Sequence, residues 1–143
     1  MMNQTLVIRE RNVRVGLLRA LSESFRYFTD FVSKLILDKN GLSDADFAMI
    51  LEPLSQFKQF RSITYRRNEL GFQSLRFLQP VLTKRIPFHL EELRIEHCSM
   101  TLSVSEELVH MLVSKTFLKK LSLINVHMAD ETFLKLAKYM RKH

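Results

Sequence analysis

One cysteine, Cys98, directly follows His97, and His89 and His127 lie near enough along the chain to be brought beside them. A thiol among imidazoles can serve as a nucleophile or as part of a soft-metal site. The spacing argues against both. No second cysteine stands at metal-ligand distance, and no two histidines form an H-x-x-x-H pair. A solitary free cysteine behaves as a small buried hydrophobe, and that is the reading of Cys98. The hydroxyl residues fall where caps and turns are expected, so they assemble no Ser-His-Asp set. Neither G-x-x-x-x-G-K-[ST] nor G-x-G-x-x-G occurs. The sequence therefore nominates no catalytic residue, metal ligand or cofactor, and the chain is read as a non-enzyme.

The remaining chemistry is charge. Twenty-two lysines and arginines oppose 15 acidic residues, a net charge of +7. An excess of that size concerns solubility and acidic partners rather than fold. Where those cations sit depends on the elements that carry them.

Those elements repeat. Leu90, Leu93, Ile95, Cys98 and Met100 are matched by Leu118, Leu121, Leu123, Val126 and Met128, both following L-x-x-L-x-L-x-x-(C/V)-x-M. Upstream, Phe60, Ile63, Tyr65, Asn68 and Leu70 repeat the phrase, as do Val32, Leu35, Leu37, Asn40 and Leu42. A weaker copy carries Leu6 and Ile8, with Arg11 in place of Asn or Cys. The starts near 3, 32, 60, 90 and 118 are separated by 29, 28, 30 and 28 residues. Alternation such as Leu93 and Ile95 suits a short strand with one buried face.

After each strand the apolar period lengthens to that of a helix. Leu17, Leu18, Leu21, Phe25 and Phe28 form one such run, and Phe47, Ile50, Leu51, Leu54 and Phe57 another. Leu75, Leu78 and Leu82 follow, then Leu108 and Leu112, then Phe133, Leu136 and Met140. Ser43 or Asp44, Ser103 with Glu106, and Asp130 signal helix starts. Pro53 and Pro80 are expected to distort or shorten their helices, and Lys84 to Pro87 reads as an enlarged loop.

The phrase and its period resemble the leucine-rich repeat, and the long helical half resembles the ribonuclease-inhibitor type. The resemblance covers nearly all of residues 1–143, read as one domain. It implies an α/β solenoid of about five repeats, a right-handed horseshoe segment with a parallel sheet on the concave face and helices on the convex face. It also implies binding on the concave face. Solenoids usually carry polar end repeats. Here Leu6 and Ile8 have no covering helix before them and the run ending at His143 has no cap after it, so the chain is read as a piece of a longer array, ahead of the alternative that a partner or a second copy covers its ends.

On that face, Lys34, Lys39, Arg61, Arg66 and Arg67 form a basic zone beside an acidic one of Glu91, Glu92 and Glu96. Equivalent positions in adjacent strands lie about 4.8 Å apart. Arg9, Asp38, Arg66 and Glu96 then form one column, Arg61, Glu91 and Lys119 another, and Glu92 meets Lys120. Such ladders neutralise themselves at roughly 0.2–1 kcal/mol per pair. They leave Lys34, Lys39, Arg67 and Arg94. The expected partner-binding residues are Lys34, Lys39, Arg61, Arg66, Arg67 and Arg94, and the expected partner is a protein with an acidic surface. Reversing Arg66 and Arg67 is expected to weaken capture without unfolding the chain.

Two alternatives accompany this. Repeats of this type also resemble activators of the Ran GTPase, although no activator-specific motif is matched. A basic surface can also hold nucleic acid non-specifically, but Lys119, Lys135, Lys138, Arg141 and Lys142 place much of the excess near one end. The sequence has no run of roughly 18 apolar residues, no signal-peptide core and no sustained basic amphipathic helix for a membrane surface. With a single cysteine, a reducing cytoplasmic location is expected.

Overall fold

The computed structural model describes residues 4–9, 19–20, 23–24, 27, 32–54, 60–83, 90–114 and 116–142. Five strands, β1 (Gln4–Arg9), β2 (Val32–Asp38), β3 (Ser62–Arg66), β4 (Glu92–Glu96) and β5 (Lys120–Ile124), form one sheet. They lie in chain order and every neighbouring pair is parallel. Four helices are described: α1 (Asp44–Leu54), α2 (Phe72–Thr83), α3 (Leu102–Val113) and α4 (Asp130–Lys142). Of the expected helix around Leu17 to Phe28, only Arg19, Ala20, Glu23, Ser24 and Tyr27 are described, the first four of them helical; its apolar residues and the expected loop at Lys84 to Pro87 lie outside the described residues.

Period-two alternation sets the register. Leu6, Leu35, Ile63, Leu93 and Leu121 align across the sheet, as do Ile8, Leu37, Tyr65, Ile95 and Leu123. In β2 to β4 these positions are buried and join the helix residues in one core. A one-residue slip would turn all of them to the opposite face, so burial enforces the register. Tyr65 anchors the middle. Its ring stacks on Phe47 at 3.7 Å and 7°, and its hydroxyl donates to the Glu69 carbonyl. Burial raises the Tyr65 pKa far above its ordinary value, with Cys98 and nearby carboxylates adding to the effect.

The helix starts partly depart from expectation. Ser43 caps α1: its hydroxyl accepts from the Asp46 amide at 3.2 Å, and the Asp46 carboxylate accepts from the Ser43 amide at 3.0 Å. For α3 the cap is Thr101, accepting from the Val104 amide at 3.2 Å, and Ser103 lies inside the first turn. The Ser-x-x-Glu pattern at Ser103 misplaces this start by two positions. Pro80 does not end α2, which continues to Thr83. Its missing amide falls late in the helix, where the turns on either side are held by buried Leu78, Val81 and Leu82.

Candidate functional site

The helices cover one face of the sheet, and the alternate strand residues form the other, open face. Three columns cross it. The first runs Thr5, Lys34, Ser62, Glu92, Lys120 and the second Val7, Ile36, Thr64, Arg94, Ser122. The third runs Arg9, Asp38, Arg66, Glu96, Ile124, which includes the charge ladder read from the sequence.

The ladder is built around a buried carboxylate. Asp38 receives a bidentate pair from Arg67, with Nε and Nη2 each 2.7 Å from a carboxylate oxygen. Arg66 Nη1 lies 3.9 Å from the same group, and Arg66 Nε lies 2.9 Å from Glu96 Oε2. That Nε–H is not directed at an acceptor, so the Arg66–Glu96 contact is an ion pair rather than an aligned hydrogen bond. Ser122 Oγ donates to the other Glu96 oxygen at 3.1 Å. The Arg67 hydrogen bond, with Arg67, Arg66 and Arg9 charge behind it, holds the Asp38 carboxyl below its usual range despite burial.

Arg67 and Arg94 correct the expectation that the ladders leave them over. Arg67 is the main partner of Asp38, and Arg94 Nε donates to Glu92 Oε1 at 2.6 Å. Arg94 is two residues from Glu92 on the same strand face, a pairing that a cross-strand count overlooks. Arg94, together with Lys34 and Lys120, keeps the Glu92 carboxyl below its usual range. Lys119 Nζ meets Glu91 Oε1 at 3.2 Å, as expected. Arg61 leads into β3, its amide bonded to the Ser33 carbonyl and its guanidinium to the Phe60 carbonyl. Among the described residues, Lys34 and Lys39 enter no ion pair. The structure thus gathers all six expected residues at the open face or the turns beside it. It interleaves them with acids rather than segregating a basic zone.

One local feature was not anticipated. Lys39, Arg67, His97 and Asn125 all have positive φ, between 50° and 55°, at the same position of consecutive repeats. Each stands just before the Asn, Cys or Val slot and turns that residue inward. The amides of Lys39, Arg67 and His97 each donate to the carbonyl that ends the next strand. Asn125 and, less strongly, His97 are residue types enriched in this conformation, and they are the signals that were available. His97→Gly removes the Cβ penalty, partly offset by greater freedom of the unfolded chain, so about 0.5 kcal/mol of stabilisation is expected. A urea midpoint that falls instead of rising contradicts the strain.

The inward slots explain Cys98. Asn68 accepts from the Asn40 and Leu42 amides at 2.9 and 3.1 Å and donates to the Arg66 carbonyl at 2.9 Å. Cys98 is buried and its Sγ donates to the Tyr65 and Glu96 carbonyls at 3.3 and 3.5 Å. Burial pushes its pKa up, which disfavours the thiolate a nucleophile requires. His97 is exposed at the turn, and His89 lies outside the described residues. Among the described residues no group of three or more His, Cys, Asp or Glu side chains could hold a metal ion, and no helix is long and apolar enough to cross a membrane.

No protein-family model matches the chain, and no curated protein matches its sequence. Among solved structures the fold is similar to that of "Leiomodin-1 Actin-Binding Site 2 (ABS2)", with a TM-score of 0.66 at 17% identity. The match covers 95% of this chain and 81% of that one. At such identity the likeness shows the fold alone: an α/β, leucine-rich-repeat-like arrangement with a parallel sheet. It does not support the ribonuclease-inhibitor type in particular.

Proposed function

We infer that this chain is a non-catalytic protein-interaction module that binds a protein partner on the open face of its sheet. One observation carries the reading: three columns of mostly polar residues run in register across all five strands, on a face that no described helix covers. Lys34, Lys39, Arg61, Arg66, Arg67 and Arg94 supply its cationic contacts, and a partner with an acidic surface complements them. Arg66 and Arg67 also hold Asp38 and Glu96, so they serve the fold as well as recognition. The 28–30-residue period, with a helix in each repeat described beyond the first, supports a curved, ribonuclease-inhibitor-like solenoid whose concave side is the open face. The lone buried thiol supports an intracellular setting.

The leiomodin domain is an actin-binding site, which makes actin the first protein to test. Affinity capture from cell extract should retain a protein partner on the native chain. A Lys34→Glu, Arg94→Glu variant should reduce that retention roughly tenfold, since charge reversal at a contact surface costs both attraction and approach. These positions replace Arg66 and Arg67 as the probe because neither holds a buried carboxylate. Equal retention on both baits contradicts the reading. Capture of nucleic acid alone, released by modest salt, assigns the cations to phosphate contacts instead. Stimulated GTP hydrolysis by a captured GTPase would recast the module as a GTPase regulator.

A further inference from the structure

The open face differs from one half to the other. On β3 to β5 it neutralises itself: Arg66 meets Glu96, Arg94 meets Glu92 and Lys119 meets Glu91. On β1 and β2 it does not. The one carboxylate of those two strands, Asp38, is buried and taken by Arg67. Among the described residues, Arg9, Lys34 and Lys39 enter no ion pair. The charge of Arg9 reaches Asp38 and that of Lys34 reaches Glu92, but the close contacts to those acids come from Arg67 and Arg94. The same half carries an adjacent pair of apolar residues. Val7 and Ile36 stand opposite each other in register, Val7 45% exposed and Ile36 half-buried. Their column then turns polar with Thr64, Arg94 and Ser122. Ile124, also exposed on this face, has Glu96 and Ser122 beside it instead.

These residues form a template with a definite spacing. Lys34 flanks the apolar pair at one end, two residues before Ile36 on β2, and Arg9 flanks it at the other, two residues after Val7 on β1. Each step is about 6.6 Å, since a strand rises about 3.3 Å per residue. An extended chain laid along the strands has the same spacing. With its side chain at i seated on Val7 and Ile36, those at i−2 and i+2 point to the same face about 6.6 Å away. Carboxylates at those two positions meet Lys34 and Arg9. A second copy of this chain, at net charge +7, brings cations of its own to the same place. An acidic segment complements them.

We propose that the β1–β2 half of the open face holds the partner's anchor, an extended acidic segment with one apolar side chain on Val7 and Ile36 and a carboxylate two residues to either side, at Lys34 and Arg9. This rests on the reading of the open face as the partner surface, and it commits that reading to one half of the sheet and one pattern of ligand.

The probe is a short synthetic peptide with leucine at its centre and glutamate two residues to either side. One comparator has glutamine for both glutamates, another alanine for the leucine. Amide chemical shifts of the full chain follow each titration. The glutamate–leucine peptide should shift residues of β1 and β2 and bind several-fold more tightly than either comparator. Lys34→Glu should weaken it roughly tenfold, and Val7→Thr, Ile36→Thr roughly fivefold. The threonines keep the branched shape a strand favours and match Thr64 in the same column, so the urea midpoint should hold. Lys120→Glu makes the same charge change three strands from Lys34, at about 14 Å, and should cost less than about twofold at physiological salt. Shifts confined to β3 to β5, binding no tighter than that of the comparators, or affinity unchanged in the Val7, Ile36 variant overturns the anchor. Affinity capture separates this failure from the broader one. If the Lys34→Glu, Arg94→Glu bait loses its protein while a Val7→Thr, Ile36→Thr bait keeps it in full, the anchor falls and the open-face reading stands. Equal retention on the native chain and both variants removes both.

Discussion

Asp44→Ala should lower the stability of the chain by about 2–3 kcal/mol, because three helix-terminal amides lose one shared acceptor. The carboxylate sits at the start of α1 but serves the next repeat. Its Oδ1 accepts from the amides of Gly71 and Ser74 at 2.8 and 2.9 Å, and its Oδ2 from the Gln73 amide at 3.0 Å. Ser74 Oγ returns a bond to the Asp44 carbonyl at 2.9 Å. Ser43 and Thr101 cap α1 and α3 from within their own repeats, but the equivalent residue before α2 is Gly71. It has no side chain to offer, so the acceptor is borrowed. A Cβ on Gly71 would lie 2.5 Å from the Asp44 carboxyl, so the same glycine makes the approach possible. The measurement is urea unfolding of Asp44→Ala and Asp44→Asn at unchanged slope. The asparagine variant retains one acceptor oxygen and should fall between the native chain and the alanine variant. A loss below about 0.5 kcal/mol for alanine, within the range of ordinary surface substitutions, contradicts the shared cap.

Asp38→Asn should cost about 2 kcal/mol at neutral pH, the value for charge-assisted hydrogen bonds reduced because water reaches Arg67. The Asp38 side chain is 3% exposed, whereas that of Arg67 is 42% exposed. The pH dependence has a definite sign. Asp38 titrates lower in the folded chain than in the unfolded one, where a carboxyl titrates near 3.9. Its contribution is therefore fully present above about pH 4 and is lost as pH falls through the lowered folded value. The difference between native and Asp38→Asn stability should hold from neutral pH to about pH 5 and shrink below pH 4. Unfolding curves across that range check it, and a gap that widens towards acid contradicts the assigned pairing.

Much of the architecture could be read before any coordinates. The Leu6 to Leu121 and Ile8 to Leu123 rows were legible because a parallel stack aligns equivalent residues, so a repeat in sequence becomes a row in space. The column from Arg9 to Glu96 followed from the same rule. Contacts that leave the rule were invisible. Arg94 pairs within its own strand, and Arg67 crosses from a turn to Asp38 in the preceding repeat, at a conformation its residue type does not announce. Asp44 looked like the cap of its own helix because its actual clients, Gly71 to Ser74, lie 27–30 residues away. Phe133 and Met140 read as core because their spacing is that of core, yet both are exposed. Their exposure depends on what packs against them, which a helical period does not specify.

The open face as the binding surface is tested most directly by photocrosslinking. Cys98 is buried, so a cysteine introduced elsewhere can be labelled selectively. Ile36→Cys places a photoreactive group between Lys34 and Asp38 on the open face, and Glu106→Cys places one on the exposed side of α3. With the captured protein bound, illumination should give an adduct from Ile36→Cys and none from Glu106→Cys. An adduct from the α3 position alone, or equally from both, contradicts binding on the open face of the sheet.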